Sequence, residues 1–198
     1  MNKKKFEMLP KFFKYQVNAE ETWKILEQAI HQIYNHNESD LKFEELYRIA
    51  YNMVLDNYGD KLYFGLVATI TYHLKEIATS IEATQGDSFL EELNSKWNHH
   101  HKSLEHIRAI LMYMERIYVP KAEKKPIYEL GLNLWTENVI CSEQIKTRLS
   151  NTLLDLVRKD RAGEDVNKEL IRNITKMLMD LGSSVYKQEF ESIWRILG

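Results

Sequence analysis

The side chains best suited to bind a metal ion or move a proton are clustered at His99, His100, His101 and His106. Zinc requires ligands that converge from one side and are held by an ordered second shell. Two of these, His99 and His106, could share a helix face, but a rise of 1.5 Å per residue separates them by about 10 Å. One metal ion cannot span that distance. We therefore interpret the cluster as solvated surface histidines and expect no metal site and no cofactor.

The sequence gives little support for a nucleophilic active site or a nucleotide-binding site. Cys141 is the one cysteine and follows an apolar run without a neighbouring base, so we expect it to be a small, half-buried apolar residue. Glycine-rich phosphate loops, HExxH and paired CxxC motifs do not occur in the sequence. Adjacent acids such as Glu44 and Glu45 point in different directions on a helix. The sequence gives no positive argument for an enzyme.

Composition and charge exclude further classes. A formal net charge of −2 provides no general attraction to nucleic acid. A single cysteine cannot form an internal disulfide, and no apolar run is long enough to cross a membrane. The basic start of the chain lacks the apolar core of a secretory signal. We expect a protein of a reducing compartment, the cytoplasm or nucleus of a eukaryotic cell, with no membrane or nucleic-acid partner.

The elements that position these residues are predicted to be helices. Three prolines and seven glycines in 198 residues are about half of the roughly 12% that is usual for the two together. The stretches 11–58 and 87–119 contain neither and are too long for strands, so we predict an all-α chain. Four apolar stripes have helical spacing: Trp23, Leu26, Ile30, Ile33; Leu46, Ala50, Met53, Val54; Leu62, Leu66, Ile70, Leu74, Ile77; and Phe89, Leu93, Trp97, Leu104, Ile107, Leu111, Met114, Tyr118.

Whether the fourth helical segment is interrupted near His99 remains open. Further helices are predicted after this segment. Pro120 and Pro126 bracket a polar connection and mark the best boundary between structural units. Short connections between about nine helices predict stacked helical hairpins. The later helices are predicted over Tyr128–Val139, Ser142–Arg158, Val166–Leu181 and Tyr186–Leu197.

The helix within 41–66 carries an apolar arc that is too wide for a single core. At 100° per residue the arc covers about 200°, whereas a surface helix of a globular domain needs about 100°. Two interpretations remain open. Either the helix is sandwiched between two neighbours, or Tyr47, Tyr51 and Ile49 face a partner, a task that suits the apolar body and polar tip of tyrosine.

A second feature lies in 107–119, where Tyr113 and Arg116 fall beside each other and off the core face. An exposed tyrosine next to an arginine resembles an interface hot spot, although snorkelling surface residues give the same pattern. The predicted core face consists of Ile110, Leu111, Met114, Ile117 and Tyr118.

Several segments resemble one family. The second-helix segment is FEELYRIAYNMVLDNYGDKLYFGL, and the later one is ILMYMERIYV. Farther on come LSNTLLDLVRKDRAGEDVNKELIRNITKMLMDLG and then SVYKQEFES. Over most of the chain, these segments resemble the N-terminal region of the cullins, most of all the BTB-binding cullin-3 type.

The resemblance implies a fold of stacked cullin repeats, each a five-helix bundle. Residues 1–18 would form a partly flexible N-terminal extension and 19–119 the first repeat. Residues 120–198 would form a partial or shortened second repeat. The cullin homology domain, which in the family binds the RING-box protein, has no counterpart in this sequence.

The resemblance also implies a function, since this end of such a scaffold docks BTB-domain proteins, often BTB-Kelch substrate adaptors of ubiquitin ligases. Because BTB domains are usually dimers, we expect a 2:2 complex. The family's N-terminal extension inserts an apolar residue beside the BTB domain, and its best match is Phe6, Met8 and Leu9. A disordered tail is the alternative there. The other contact positions fall on Leu41, Phe43, Glu44, Tyr47, Tyr51, Tyr113 and Arg116.

Two departures from the family pattern lie in the second helix. Lys42 replaces a small hydroxyl residue and cannot accept the N-cap hydrogen bond, so we expect Ser39 or Asp40 to take that role. Ile49 replaces a polar residue and adds apolar area near the docking face.

Three interpretations of function remain open. A naturally short form could not recruit the RING-box protein and would compete with a host cullin for BTB adaptors, as a mimic. The chain could instead be an N-terminal piece of a full-length cullin scaffold. It could also be a helical adaptor for a partner without a BTB domain.

Overall fold

A computed structural model describes residues 18–182, and every regular element within them is helical. The predicted all-α class is confirmed there. Short 3-10 turns at Glu38–Asp40 and Gly86–Ser88 connect α1 to α2 and α3 to α4, and π-helical turns occupy Met114–Tyr118 and Thr136–Ile140. The α-helices are α1 (Ala19–Tyr34), α2 (Phe43–Leu55), α3 (Gly59–Ala83), α4 (Phe89–Ile110), α5 (Val119–Lys121), α6 (Ile127–Trp135), α7 (Glu143–Arg161) and α8 (Lys168–Asp180).

The four apolar stripes form the core, as their spacing predicts. Each member of the first and third stripes is buried. In the second stripe Val54 is only half-buried, and in the fourth Tyr118 is, although both pack against the core. Helix α4 runs without interruption through His99, so the break left open there does not occur.

Local sequence explains where the first helix begins and ends. The Oδ1 atom of Asn18 accepts hydrogen bonds from the amides of Glu20 (3.1 Å) and Glu21 (3.4 Å), which satisfies two of the donors left free at a helix start. The same two acids place negative charge at the positive end of the helix dipole. His36, with φ of 59°, then turns the chain away after α1.

Close approach of helices depends on small residues. The ring of Trp23 on α1 lies directly against Gly65 of α3, where a Cβ atom would overlap it. In the same way Leu104 of α4 lies against Gly131 of α6. Glycine allows these helix axes to approach more closely than any other residue would.

Prediction of the core face failed at Ile117, which is 49% exposed. The prediction of the core face uses the α-helical rotation of 100° per residue, but Ile117 lies in the π-helical turn Met114–Tyr118. A π-helical turn contains roughly 4.4 residues, or about 80° per residue, so the face rotates after Met114. That rotation moves Ile117 from the core side toward the side of Tyr113.

The solvated interpretation of the histidine cluster was wrong for His100, which is fully buried. Its Nε2–H donates to the carbonyl oxygen of Gly131 (3.1 Å), and its Nδ1 is 2.9 Å from the hydroxyl of Tyr34. His99 is half-buried, with Nε2 bonded to the Tyr34 carbonyl oxygen at 3.0 Å, and His101 is bonded to the Tyr128 hydroxyl at 2.9 Å. The cluster therefore joins α1, α4 and α6 instead of facing water.

The packing continues across the predicted boundary between Pro120 and Pro126. Trp135 of α6 is buried and stacks on His100 of α4 at 5.2 Å between ring centroids. It also contacts Trp97 edge to face at 5.3 Å. The predicted division into two repeats between residues 119 and 120 stays a prediction. The hydrophobic core is continuous across this position.

Three further predictions can be compared with residues 18–182. Cys141 is exposed, not half-buried, because it lies in the turn that follows the second π-helical turn. No three His, Cys, Asp or Glu side chains in this range come together in an arrangement that could hold a metal ion. Across the same residues, no helix has both the length and the apolar character needed to span a bilayer. The helix predicted over Tyr186–Leu197 lies outside the described residues.

Candidate docking surface

Two separate segments bring four aromatic side chains to one surface. Tyr47 and Tyr51 lie on α2 with ring centroids 6.2 Å apart, and Tyr51 lies 4.4 Å from Tyr113, which precedes the first π-helical turn. Phe43 begins α2 one turn before Tyr47. All four are half-buried. We call Phe43, Tyr47, Tyr51 and Tyr113 the aromatic face.

Helix α2 can present this face because its core contacts lie on another side. Leu46, Ala50 and Met53 are buried in the core, and α2 packs against α1, α3, α4 and the π-helical turn. The interpretation of its wide apolar arc as a helix packed between neighbours is supported, while the partner-facing interpretation of Tyr47 and Tyr51 stays a prediction. Ile49 was placed with the partner-facing residues, but it is partly buried and packs against the core.

The tyrosine hydroxyls of the aromatic face are available to a partner. Within residues 18–182, the hydroxyls of Tyr47, Tyr51 and Tyr113 have no hydrogen-bond partner. By contrast, the hydroxyl of buried Tyr34 is paired with His100. A half-buried ring with a free polar tip combines apolar contact area with hydrogen-bonding capacity at low ordering cost.

Sequence reasoning missed His106, which lies at the edge of the aromatic face. Its ring meets that of Phe43 edge to face at 5.4 Å. The spacing contained the signal, because His106 precedes Tyr113 by seven residues, which is close to two helical turns. The sequence predicts the tyrosines as partner contacts, whereas it predicts His106 as a solvated surface histidine.

Charges around the surface are partly paired. Glu44 forms an ion pair with Arg48 one turn later (2.5 Å), and this contact raises the pKa of the Arg48 guanidinium. Arg116 is exposed and has no ion-pair partner among residues 18–182. Near His106, Glu38 accepts a hydrogen bond from Lys102 at 3.2 Å. Its own backbone amide, and then Lys102, hold the pKa of the Glu38 carboxyl below its usual range.

The start of α2 differs from the prediction. Lys42 occupies the N-cap position, and its side chain makes no capping bond but pairs with Glu45 at 3.3 Å. Neither Ser39 nor Asp40 takes over the capping role within the described contacts. The first turn of α2 is supported only by the favourable position of Glu44 and Glu45 at the positive end of the dipole.

The remaining predicted contact residues are divided between two places. Leu41 is half-buried and lines a shallow groove between α1 and α2, together with Ile25, Ala29 and Leu46. The structure therefore places Leu41 beside that groove. Phe6, Met8 and Leu9 lie outside the described residues.

Helices packed around a continuous core, with an aromatic face on their surface, define an all-helical domain over residues 18–182. A family model described as the cullin α-solenoid domain matches residues 23–194. The chain belongs to the cullin family.

Three similar proteins from two organisms are all named as cullin-3 forms. Cullin-3B of Arabidopsis thaliana is 64% identical over 173 residues, which are 87% of this chain and 24% of that protein. Cullin-3A of the same organism is 56% identical over 195 residues, 96% of this chain and 27% of that protein. Cullin-3 of Dictyostelium discoideum is 47% identical over 173 residues, 86% and 22% of the two chains. The chain thus spans about a quarter of the length of these relatives.

Proposed function

We propose that this domain is the adaptor-docking arm of a ubiquitin-ligase scaffold, and that it binds BTB-domain proteins such as BTB-Kelch adaptors. The observation that carries the proposal is the aromatic face, in which four half-buried rings come from two segments and the three tyrosine hydroxyls have no hydrogen-bond partner among residues 18–182. Family membership and the likeness to proteins named cullin-3 support the scaffold role. The proposed role is that of a binding module and not of a catalyst.

The mechanism is burial of the aromatic face against the BTB domain, with polar groups setting the register. Tyr47 and Tyr51 lie at the centre, where removal from water contributes most to affinity. Glu44 and Arg116 flank the rings on either side along their segments. The guanidinium of Arg116, which has no ion-pair partner among residues 18–182, suits a carboxylate or carbonyl oxygen of the adaptor. Because the helices hold these rings in place before binding, little ordering entropy is lost on docking.

The experiment that tests the proposal is a calorimetric titration of the domain into a BTB-Kelch adaptor fragment that includes its 3-box. We expect submicromolar binding at one chain per BTB protomer, hence a 2:2 complex with a BTB dimer. Tyr47→Ala should weaken binding by about 2 kcal/mol, or roughly 30-fold. Tyr72→Ala is the matched control, because Tyr72 is an exposed tyrosine on α3 (53%) and should leave the affinity unchanged.

Two outcomes of this titration would contradict the proposed function. If several BTB adaptors show no heat of binding while the domain remains folded by circular dichroism, the proposed function is wrong and the fold stands. If a Skp-type adaptor binds in place of the BTB proteins, the domain belongs to a different branch of scaffold. The N-terminal residues Phe6, Met8 and Leu9 are proposed to add contacts with the 3-box, and a chain that begins at residue 18 should then bind more weakly.

A competitor activity follows from the same surface. An isolated docking arm occupies an adaptor without bringing the RING-box protein, so it should inhibit ubiquitylation by a full-length cullin ligase. The assay is adaptor-dependent ubiquitylation of a substrate with increasing amounts of this domain, and Tyr47→Ala is the control. Loss of inhibition in Tyr47→Ala is expected, whereas equal inhibition by both proteins would contradict the competitor role.

A further inference from the structure

The outward side of α3 carries two aromatic side chains that are not part of the aromatic face. Phe64 is 57% exposed and Tyr72 is 53% exposed. They are eight residues apart, and Ala68, which is also exposed, lies midway between them. Because steps of four residues form one ridge along a helix, the three side chains follow one another on a single ridge. Single exposed apolar residues are ordinary, whereas two large rings on one ridge form a patch of the kind that partners cover.

The two ends of this ridge carry opposite charges. At one end, the Nζ atom of Lys124 lies over the ring of Phe64, 5.0 Å from its centroid. At the other end, the carboxylate of Glu76 accepts a hydrogen bond from the hydroxyl of Tyr72 at 2.9 Å. Within residues 18–182, neither Lys124 nor Glu76 has an ion-pair partner. Each of these charges is therefore available to a group outside the molecule.

A cavity of about 500 Å³ lies between α1 and α3, beside Tyr72. Ala68 and His31 also line it, and Glu27 and Glu76 contribute two carboxylates. Among the described residues, its lining contains no lysine or arginine. Such a cavity suits an apolar ring that is accompanied by a positive charge, since the ring can pack against tyrosine while the charge meets the carboxylates.

The molecule itself presents a group of this kind, because the exposed ring of Phe64 has Lys124 on its face. We propose that the outward side of α3 binds a second copy of the chain and forms a two-fold dimer. In this dimer the ring of Phe64 in each copy enters the cavity of the other copy and packs against Tyr72. Lys124 then approaches the carboxylates of Glu27 and Glu76. The inference goes beyond the proposed function and does not depend on adaptor docking, because none of these residues belongs to the aromatic face.

Symmetry favours a second copy over an unrelated protein. The projecting ring and the cavity lie on the same ridge, on either side of Ala68. A two-fold axis beside Ala68 exchanges the two ends of the ridge, so each copy provides one ring and receives one. The same operation brings Lys124 of each copy to Glu76 of the other, where opposite charges attract. The small side chain of Ala68 allows the two helices to approach each other at the centre.

The test is sedimentation equilibrium of the full chain. We expect a monomer–dimer equilibrium with a Kd on the order of 10 µM, because the contact is small. Phe64→Ser should weaken dimerisation roughly 100-fold, since two rings are lost for each dimer and each contributes roughly ten-fold. Met179→Ser is the matched control, because Met179 is 59% exposed on α8 and should leave the Kd unchanged.

Charge exchange tests the two-fold arrangement itself. Lys124→Glu and Glu76→Lys each place like charges at both ends of the contact, so each variant alone should be monomeric. An equimolar mixture of the two should dimerise again, because the two introduced charges then pair at one end and the two native charges pair at the other. Lys176→Glu makes the same change of charge on α8, at an exposed position, and should dimerise like wild type.

Three results would overturn the inference. A monomeric wild type at every concentration would mean that a second copy does not cover this surface. Dimerisation of Phe64→Ser with the affinity of wild type would place the contact on another face. Growth beyond the dimer, or a mixture of the charge variants that stays monomeric, would exclude the two-fold arrangement. Circular dichroism of each variant should match wild type, because the Phe64 ring is largely exposed.

Discussion

The hydrogen bonds of His100 fix the tautomer of its neutral ring. A carbonyl oxygen can only accept, so the ring nitrogen facing Gly131 carries the proton and the nitrogen facing Tyr34 is left to accept. Burial lowers the pKa of His100 to about 3. His73 is hydrogen-bonded to His31 at 2.8 Å, and burial, followed by the proximity of His31, lowers its pKa to about 4. Both rings are neutral at pH 7.

Acid should therefore destabilise the domain before its carboxylates titrate. The unfolded chain takes up protons at histidine near pH 6.5, whereas folded His100 and His73 do not until about pH 3 and 4. Stability is fully present above about pH 6.5 and is lost as the pH falls toward those values. We expect the free energy of unfolding in urea to fall from pH 7 to pH 5, with a slope from His100 alone that approaches about 1.4 kcal/mol per pH unit only below pH 6.5.

The control is His100→Gln, which keeps a polar side chain but cannot titrate. This variant should be less stable than wild type at pH 7.5, because its fit between Tyr34 and Gly131 is poorer. Between pH 6.5 and 5 the free energy of unfolding of this variant should also fall less steeply than that of wild type, because the variant takes up about one proton fewer on unfolding. Equal slopes in the two proteins would show that His100 does not stay neutral in the folded state.

At the scale of single elements, the start of α2 lacks a side-chain cap. Lys42 at the N-cap provides no acceptor for the free amides of the first turn. Lys42→Ser should supply one and raise the free energy of unfolding by about 0.5–1 kcal/mol. The exposed ion pair with Glu45 that is lost in the exchange contributes little.

The measurement is equilibrium urea unfolding, with Lys42→Ala beside Lys42→Ser. Alanine also removes the ion pair but offers no hydroxyl, so it should be no more stable than wild type. A gain of the same size in both variants would mean that removing the lysine, and not capping, is responsible.

The contact between α1 and α3 depends on one glycine. Because the Trp23 ring occupies the position of a Cβ atom at Gly65, Gly65→Ala should force the two helices apart. Overpacking of this kind usually costs about 1–3 kcal/mol, which exceeds the gain in helix propensity from alanine. Thermal unfolding should show a lower melting temperature for Gly65→Ala. Gly163→Ala tests backbone strain alone, because no atom lies within 4 Å of the added Cβ there and the backbone φ is 80°.

At the scale of the whole molecule, the core connects the two predicted repeats. Trp135 of α6 is fully buried against Trp97 and His100 of α4, so the later helices complete the interior of the earlier ones. Trp135→Ala should cost about 3–5 kcal/mol by leaving a cavity at this junction. We expect circular dichroism and tryptophan fluorescence to report a single coincident transition, in wild type and in the variant alike.

Two separate transitions in wild type would contradict that expectation, because they would mean that the parts before and after Pro120 unfold independently. Met179→Ala serves as the control for truncation at an exposed site, and it should change stability by no more than about 0.5 kcal/mol.

The class of fold, the approximate limits of the helices within 128–181 and the buried faces of the first four helical segments could be predicted from the sequence. These follow from local rules, since the spacing of Trp23, Leu26, Ile30 and Ile33 defines one side of a helix wherever that helix packs. The excess apolar surface around Tyr47 and Tyr51 was equally local, because a single wheel reveals an arc wider than one core requires.

Tertiary structure alone decided which side chains meet and which are covered. His100 looks like its exposed neighbours in sequence, and only the packing of α1, α4 and α6 around it makes it a buried, neutral ring. The π-helical turn at Met114–Tyr118 broke the assumed period and exposed Ile117, because a change in backbone hydrogen bonding is not visible in the pattern of apolar residues. The meeting of Tyr51 with Tyr113, which lie far apart in the chain, likewise depends on how two helices dock.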